Sequence, residues 1–359
     1  MCQSVNGNNG AIMKQSHGFT LVELLITVAV IGVVTILLAP TFNSLMTAQR
    51  LAYNEKHYLN NQLIASALLS YAANSTKNGR LPPPYTGGGY TKTVYNPTDG
   101  SSAGLALTQA LTQSGINPSE INDDGTATKN VRVYQLVQGL TQQVPLYFRS
   151  GPLVTLTYDF GAIYLTNCPK SNTACNPNPA TGVPGDSPAL NAGNYTTWSP
   201  ADGDGRAHFV SSLPVQKQML ATTVQRLDKV RDTLLSYLRT RQVTAAGGDT
   251  TNWFPNQAGA AAPGSLSGAN PATNQGCRDG WYDLSLAGVL VLPTVGLSAQ
   301  EYGTTAWGGP IQYCRDYDPT GTGTPNAPPH YAAIRIHTNV SAGLAPDNAV
   351  PGNNIVLTF

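Results

Sequence analysis

Glu23 is the only charged side chain between Phe19 and Ala39, a stretch whose other polar side chains are Thr20, Thr27 and Thr35. An ionisable group on an apolar helix of membrane length is costly, so its presence marks a candidate functional position. Elsewhere, residues suited to acid–base work are scarce. Glutamate occurs only at 23, 55, 120 and 301, and the histidines after residue 18 are His57, His208, His330 and His337. None of these histidines stands at metal-ligand spacing with another, and His330 and His337 are expected to flank a strand at the surface. No GxSxG, phosphate-binding loop or HExxH occurs, so an enzyme is not expected.

Two acidic loops remain, NDDGT at 122–126 and DGDGR at 202–206. Clustered oxygens on a turn could hold calcium, with Asp202 and Asp204 the better pair. Neither loop completes a calcium-loop pattern, and Asp-Gly is also ordinary turn chemistry. The expected cofactor is none, with calcium the one ion kept open.

The chain has five cysteines, Cys2, Cys168, Cys175, Cys277 and Cys314. If the first 18 residues are removed, four remain, and an even number in an exported chain reads as two disulfides. Sequence order suggests Cys168 with Cys175 and Cys277 with Cys314, although four cysteines allow three connectivities and spacing does not choose among them. Zinc is the rival reading, but no Cys-x-x-Cys or close histidine pair accompanies them.

The elements that must position these groups begin with the apolar run. Its 21 residues make a helix of roughly 32 Å, against a hydrocarbon core of roughly 30 Å, so they can span a membrane. A secretory signal places its small-residue cleavage site after a shorter apolar core, whereas here the glycine junction, Gly18, precedes the run. Past Pro40 helical spacing continues through Leu45, Leu51, Tyr58, Leu63, Leu68 and Tyr71, and Asn78, Gly79 and residues 82–84 should end it. Strand composition marks 131–137, 144–149, 153–160 and 162–167. Residues 169–208, rich in Pro, Asn, Gly, Thr and Asp, read as a loop and linker. A second amphipathic helix is expected over 214–243, with Leu220, Val224, Leu227, Val230, Leu234 and Tyr237 on one face. Strands should follow at 286–293, 309–317, 330–338 and 354–359. The LLSY at 234–237 repeats the LLSY at 68–71, and Val230 matches Ile64 at the same offset of 166 residues.

Charged residues are 11% of the 359-residue chain and the net charge is +1. That is less than half the roughly 25% of an average soluble protein, which reads as an exported surface protein. Near-neutrality argues against nucleic acid as a partner.

The segment GFTLVELLITVAVIGVVTILLAP resembles the class III leader junction and N-terminal helix of type IV pilins and type II secretion pseudopilins. The resemblance covers about the first fifth of the chain. It implies that a prepilin peptidase cuts after Gly18 and methylates Phe19. It also implies that Glu23 guides assembly, and that Gly32 and Pro40 are helix-weakening positions. A methylated, positive Phe19 amine offers a partner to Glu23 of a neighbouring subunit, which removes the cost of an isolated intramembrane charge. Proline lacks a backbone donor, and glycine has low helix propensity. Met13 is read as the start, since it gives the short leader MKQSHG; Met1 gives one of eighteen residues.

The expected fold is α+β: a long transmembrane and amphipathic helix packed on an antiparallel sheet, the pilin fold, followed by a second pilin-like α+β lobe. The expected divisions are a leader at 1–18, a transmembrane and assembly helix at 19–40, a first lobe at 41–175, a linker at 176–212 and a second lobe at 213–359. The expected function is a structural subunit, a minor pilin or pseudopilin. Its partners are the prepilin peptidase, the inner-membrane assembly platform, other pilin subunits and, before assembly, the membrane. It should sit in the bacterial inner membrane with its lobes periplasmic, then in an extracellular filament or periplasmic pseudopilus. The alternatives are a pilin-anchored adhesin or ligand-binding tip protein using Trp253, Phe254, Trp281 and Trp307, and a major pilin.

Overall fold

The computed structural model describes residues 21–85, 101–117, 130–147, 150–256, 275–278, 280–320 and 328–359; for residues 21, 23, 24, 27, 31–43 and 75 it describes the backbone alone. The chain divides into two compact units, Met1–Lys56 and His57–Phe359. Helix α1, Leu21–Ala73, contributes to both and is continuous over 53 residues, including Gly32 and Pro40. Asn74 then caps a 3₁₀ turn, accepting from the Thr76 N–H, and Asn78 and Gly79 take positive φ. The chain turns where the sequence placed the stop.

In the second unit, α1 packs with Ile64, Ala65, Leu68, Tyr71 and Ala72 against Tyr134, Ile163 and Val210. The stripe differs from the expected one: Leu63 is exposed while Ile64 is fully buried. Helix α2, Ser102–Gln113, joins this layer through Leu107, Ala110 and Leu111, and Ser101 caps it by accepting from the Gly104 N–H.

The sheet beneath is a hairpin. Strand β1, Asn130–Tyr147, pairs antiparallel with β2, Ser150–Pro169, from Asn130 opposite Pro169 to Tyr147 opposite Ser150. The four short strands read from the sequence are thus two long ones, interrupted by bulges. One bulge lies between Val137 and Leu140, where Gly139 has φ +76° and donates its N–H to Asp159 at 3.2 Å. A third strand, β3, His208–Ser211, pairs with Phe160–Ile163 of β2.

The other face of this sheet buries Val131, Val133, Ala162 and Tyr164 under Val183, Leu190 and Trp198. Residues 176–207 therefore form a packed cover. Gln135 holds it from below, accepting from the Leu190 N–H at 2.6 Å and donating to the Pro188 carbonyl at 3.2 Å.

Helix α3, Leu213–Thr244, starts with Pro214 in its first turn and buries Leu220, Leu227, Val230, Leu234 and Leu238, the 3–4 spacing of an amphipathic helix. It packs on a second antiparallel sheet, ordered β4 (Tyr282–Asp283), β5 (Gln312–Cys314), β6 (Ala333–His337) and β7 (Asn354–Thr358). The apolar run at 286–293, expected as a strand, instead makes turns and a short helix, α4, Val291–Thr294, which is followed by α5, Ala299–Tyr302. A short apolar run does not distinguish strand from buried helix by periodicity.

The two halves share a core. Leu146, Val154 and Leu156, at the far end of the β1–β2 hairpin, belong to the cluster of Val230, Leu234, Ile334 and Ile355. Two hydrogen bonds seal the seam: the Thr155 N–H donates to the Thr338 carbonyl at 2.9 Å and the Thr157 N–H to the Ser341 hydroxyl at 2.8 Å. Gln216 of α3 donates to the carbonyls of Asn78 and Gly79 at 3.0 Å and accepts from the Trp307 indole at 2.8 Å. Gly79 has φ +69°, which favours glycine, and a Cβ there would lie 2.4 Å from the Gln216 amide and displace it from these bonds.

Two disulfides close the loops. Cys168 bonds Cys175 at the end of β2, and Cys277 bonds Cys314, tying the segment before β4 to β5.

Candidate functional site

The sequence directs attention to the N-terminal segment. Gly18 and Phe19 lie outside the described residues, and of Glu23, Gly32 and Pro40 only the backbone is described. The backbone that carries Glu23 is helical. Around it Val22, Leu25, Ile26, Val28 and Val30 are all more than half exposed. Further along, Leu45, Met46, Leu51 and Tyr53 are exposed as well. Single exposed apolar side chains need no explanation, but two clusters of them on one helix, at 22–30 and 45–53, mark surface suited to contact with lipid or protein. Among the described residues, no helix is long and apolar enough to cross a membrane; most side chains of the candidate span at 19–40 lie outside the description.

The other candidate residues fall on different parts of the fold. Asp204 is committed to its own loop: Oδ1 accepts from the Asn167 N–H at 2.9 Å and Oδ2 from the Ser187 hydroxyl at 2.5 Å. Asp202 is exposed beside it. Among the described residues no group of three or more His, Cys, Asp or Glu could hold a metal ion. The loop at 122–126 lies outside them. Of the four aromatics considered as exposed binding surface, Trp281, Phe254 and Trp307 are buried and Trp253 is half-buried. They are core residues.

Three buried polar centres carried no periodic or motif signal in the sequence. Asp159 is fully buried and gathers the Arg80 guanidinium at 2.7 Å and the Leu81 N–H at 3.0 Å. Arg132 reaches His57 Nδ1 at 2.9 Å beneath α1. Arg335, on β6, is buried over the face of Trp281 with its guanidinium carbon 4.5 Å from the ring centroid. It donates to the side-chain oxygens of Gln312 and Gln275 at 2.8 Å and to that of Asn348. Burial pulls its pKa down to about 10, against a smaller opposing pull from Asp347. All three are enclosed and bind elements to one another, so they are structural.

Residues 13–39 match the family model of the prokaryotic N-terminal methylation motif. This motif belongs to type IV pilin-like and pseudopilin precursors, which prepilin peptidase processes. No curated protein and no solved structure matches the chain.

Proposed function

We propose, starting from a chain whose residues 13–39 carry the N-terminal methylation motif, that the protein is a minor pilin or pseudopilin, a non-catalytic subunit of a type IV pilus-type filament. The match to that motif carries the reading. In this reading prepilin peptidase cuts after Gly18, the Phe19 amine is methylated, and the apolar helix holds the subunit in the inner membrane until an assembly platform extracts it. Glu23 then pairs with the Phe19 amine of a neighbour, and the apolar surface displayed by Val22, Leu25, Ile26 and Val30 exchanges lipid for other helices. The 341 residues after Gly18 are bulky for every position of a thin filament, which favours a minor role.

We infer further that the globular part is a tandem of two pilin-like halves. Each sheet has its own helix, and the internal match places equivalent residues alike: Ile64, Leu68 and Ala72 are buried on α1, as are Val230, Leu234 and Leu238 at the offset of 166 on α3. Of the four aromatics on which the adhesin alternative drew, Trp281, Phe254 and Trp307 are buried and Trp253 is half-buried, which favours the subunit reading.

The test is mass spectrometry of the processed protein recovered from membranes. Methylated Phe19 at the N-terminus is expected; an intact junction between Gly18 and Phe19 overturns the reading.

A further inference from the structure

Next to the root of the first sheet lies a cavity of about 490 Å³, lined by Tyr58 of α1, Trp198 and Arg206 of the cover, and His208 and Phe209 of β3. Its polar side is built around one ring. The Arg206 guanidinium lies over Tyr58, 4.4 Å from the centroid, and His208 meets the same ring edge-on at 5.7 Å. Guanidinium offers five N–H donors in a planar fork. Among the described residues, those of Arg206 make no ion pair or hydrogen bond; only its backbone carbonyl is engaged, by Asn61. Stacking on Tyr58 thus fixes the position of the fork without occupying its donors.

Phe209 and Trp198 add apolar lining. Phe209 is 44% exposed although it stacks on Phe160 and meets Trp198 edge-on at 6.0 Å. An exposed apolar ring and an uncommitted cation therefore line the same cavity. Burial first, and then Arg206, holds His208 toward its neutral form, in which it still has one N–H to donate.

We propose that this cavity binds an organic anion, a carboxylate or phosphate carried on a flat apolar group. The anion takes the fork of Arg206 and the His208 N–H, and the apolar group lies against Phe209 and Trp198. A planar fork suits the paired oxygens of either anion, and Phe209 selects against an anion with no apolar part. The proposal is independent of the assembly role.

The test is calorimetric titration of the full chain in detergent with phenyl phosphate and, separately, inorganic phosphate. Phenyl phosphate is expected to bind saturably and more tightly than inorganic phosphate. Arg206→Gln should weaken it by about ten- to a hundredfold, the equivalent of one charged hydrogen-bonding partner. Phe209→Ser should weaken phenyl phosphate and leave inorganic phosphate unchanged. Arg206 is exposed, so an unchanged melting temperature for Arg206→Gln separates loss of binding from loss of folding. Absence of saturable binding to the unaltered chain, equal affinity for the two probes, or undiminished binding by Arg206→Gln overturns the proposal.

Discussion

Asp159 and Arg80 form an ion pair at 2.7 Å in which the carboxylate is wholly enclosed and the guanidinium is about one-third exposed (37%). The same carboxylate accepts from the Leu81 and Gly139 N–H groups, and the Asp159 N–H donates to Ser212. One side chain on β2 therefore holds the loop after α1 and the β1 bulge, and its backbone holds the entry to α3. Asp159→Ala should cost about 2–4 kcal/mol, because it strips the Leu81 and Gly139 N–H groups of their acceptor while the part-exposed Arg80 turns to water. Chemical denaturation checks this. A loss below about 1 kcal/mol, the net worth of a single ordinary hydrogen bond, would remove Asp159 from that role.

The disulfides should differ in worth. Chain-entropy reasoning gives about 2 kcal/mol for the loop of 7 residues closed by Cys168 and Cys175. The corresponding figure is about 4 kcal/mol for the 37 residues closed by Cys277 and Cys314. Paired serine substitutions, compared by thermal melting, should show the larger drop for Cys277→Ser with Cys314→Ser. The reverse order would mean that the first bond constrains more than its own loop.

His208 sets a pH dependence of known sign. Its pKa is lowered in the fold, first by burial and then by Arg206. The unfolded chain therefore takes up a proton more readily, and stability should decline as pH falls through about 6.5, the ordinary histidine value. His208→Gln should flatten that part of the stability profile. A profile unchanged by the substitution would show that another group titrates there.

Glu23→Gln keeps the length and shape of the side chain and removes its charge. If Glu23 pairs with the Phe19 amine of a neighbour, this variant should be inserted and cleaved normally and yet be absent from sheared filaments. Immunoblots of membrane and filament fractions read both outcomes. Normal incorporation would show that the charge is dispensable.

How much of this was legible depended on the reach of the interactions. The helix expected at 214–243 is observed as Leu213–Thr244 because its apolar spacing repeats from Leu220 to Leu238, about five turns, and Pro214 marks its start. The strands at 330–338 and 354–359 likewise appear as Ala333–His337 and Asn354–Thr358. Helix α2 was missed: its SAGLALTQALTQ is polar and small, and Leu107 and Leu111 become core only because α1 lies beside them. Merging of the four short strands depends on bulges that hide the alternation, and the packing of 176–207 depends on the Gln135 side chain, a single polar residue in a strand. Arg132 with His57, 75 residues apart, has no local signature at all. In the N-terminal segment the reverse holds, since its motif is entirely local.

The β1–β2 hairpin has its root in one hydrophobic cluster and its tip in another that includes Ile355 on the last strand. On the proposed function the chain is exported from its N-terminal end, so Leu146, Val154 and Leu156 emerge long before Ile355. The cluster around the hairpin tip is complete only when some 200 further residues have followed, α3 arriving first and Ile355 last. Completion of the first half is thus timed by delivery of the second.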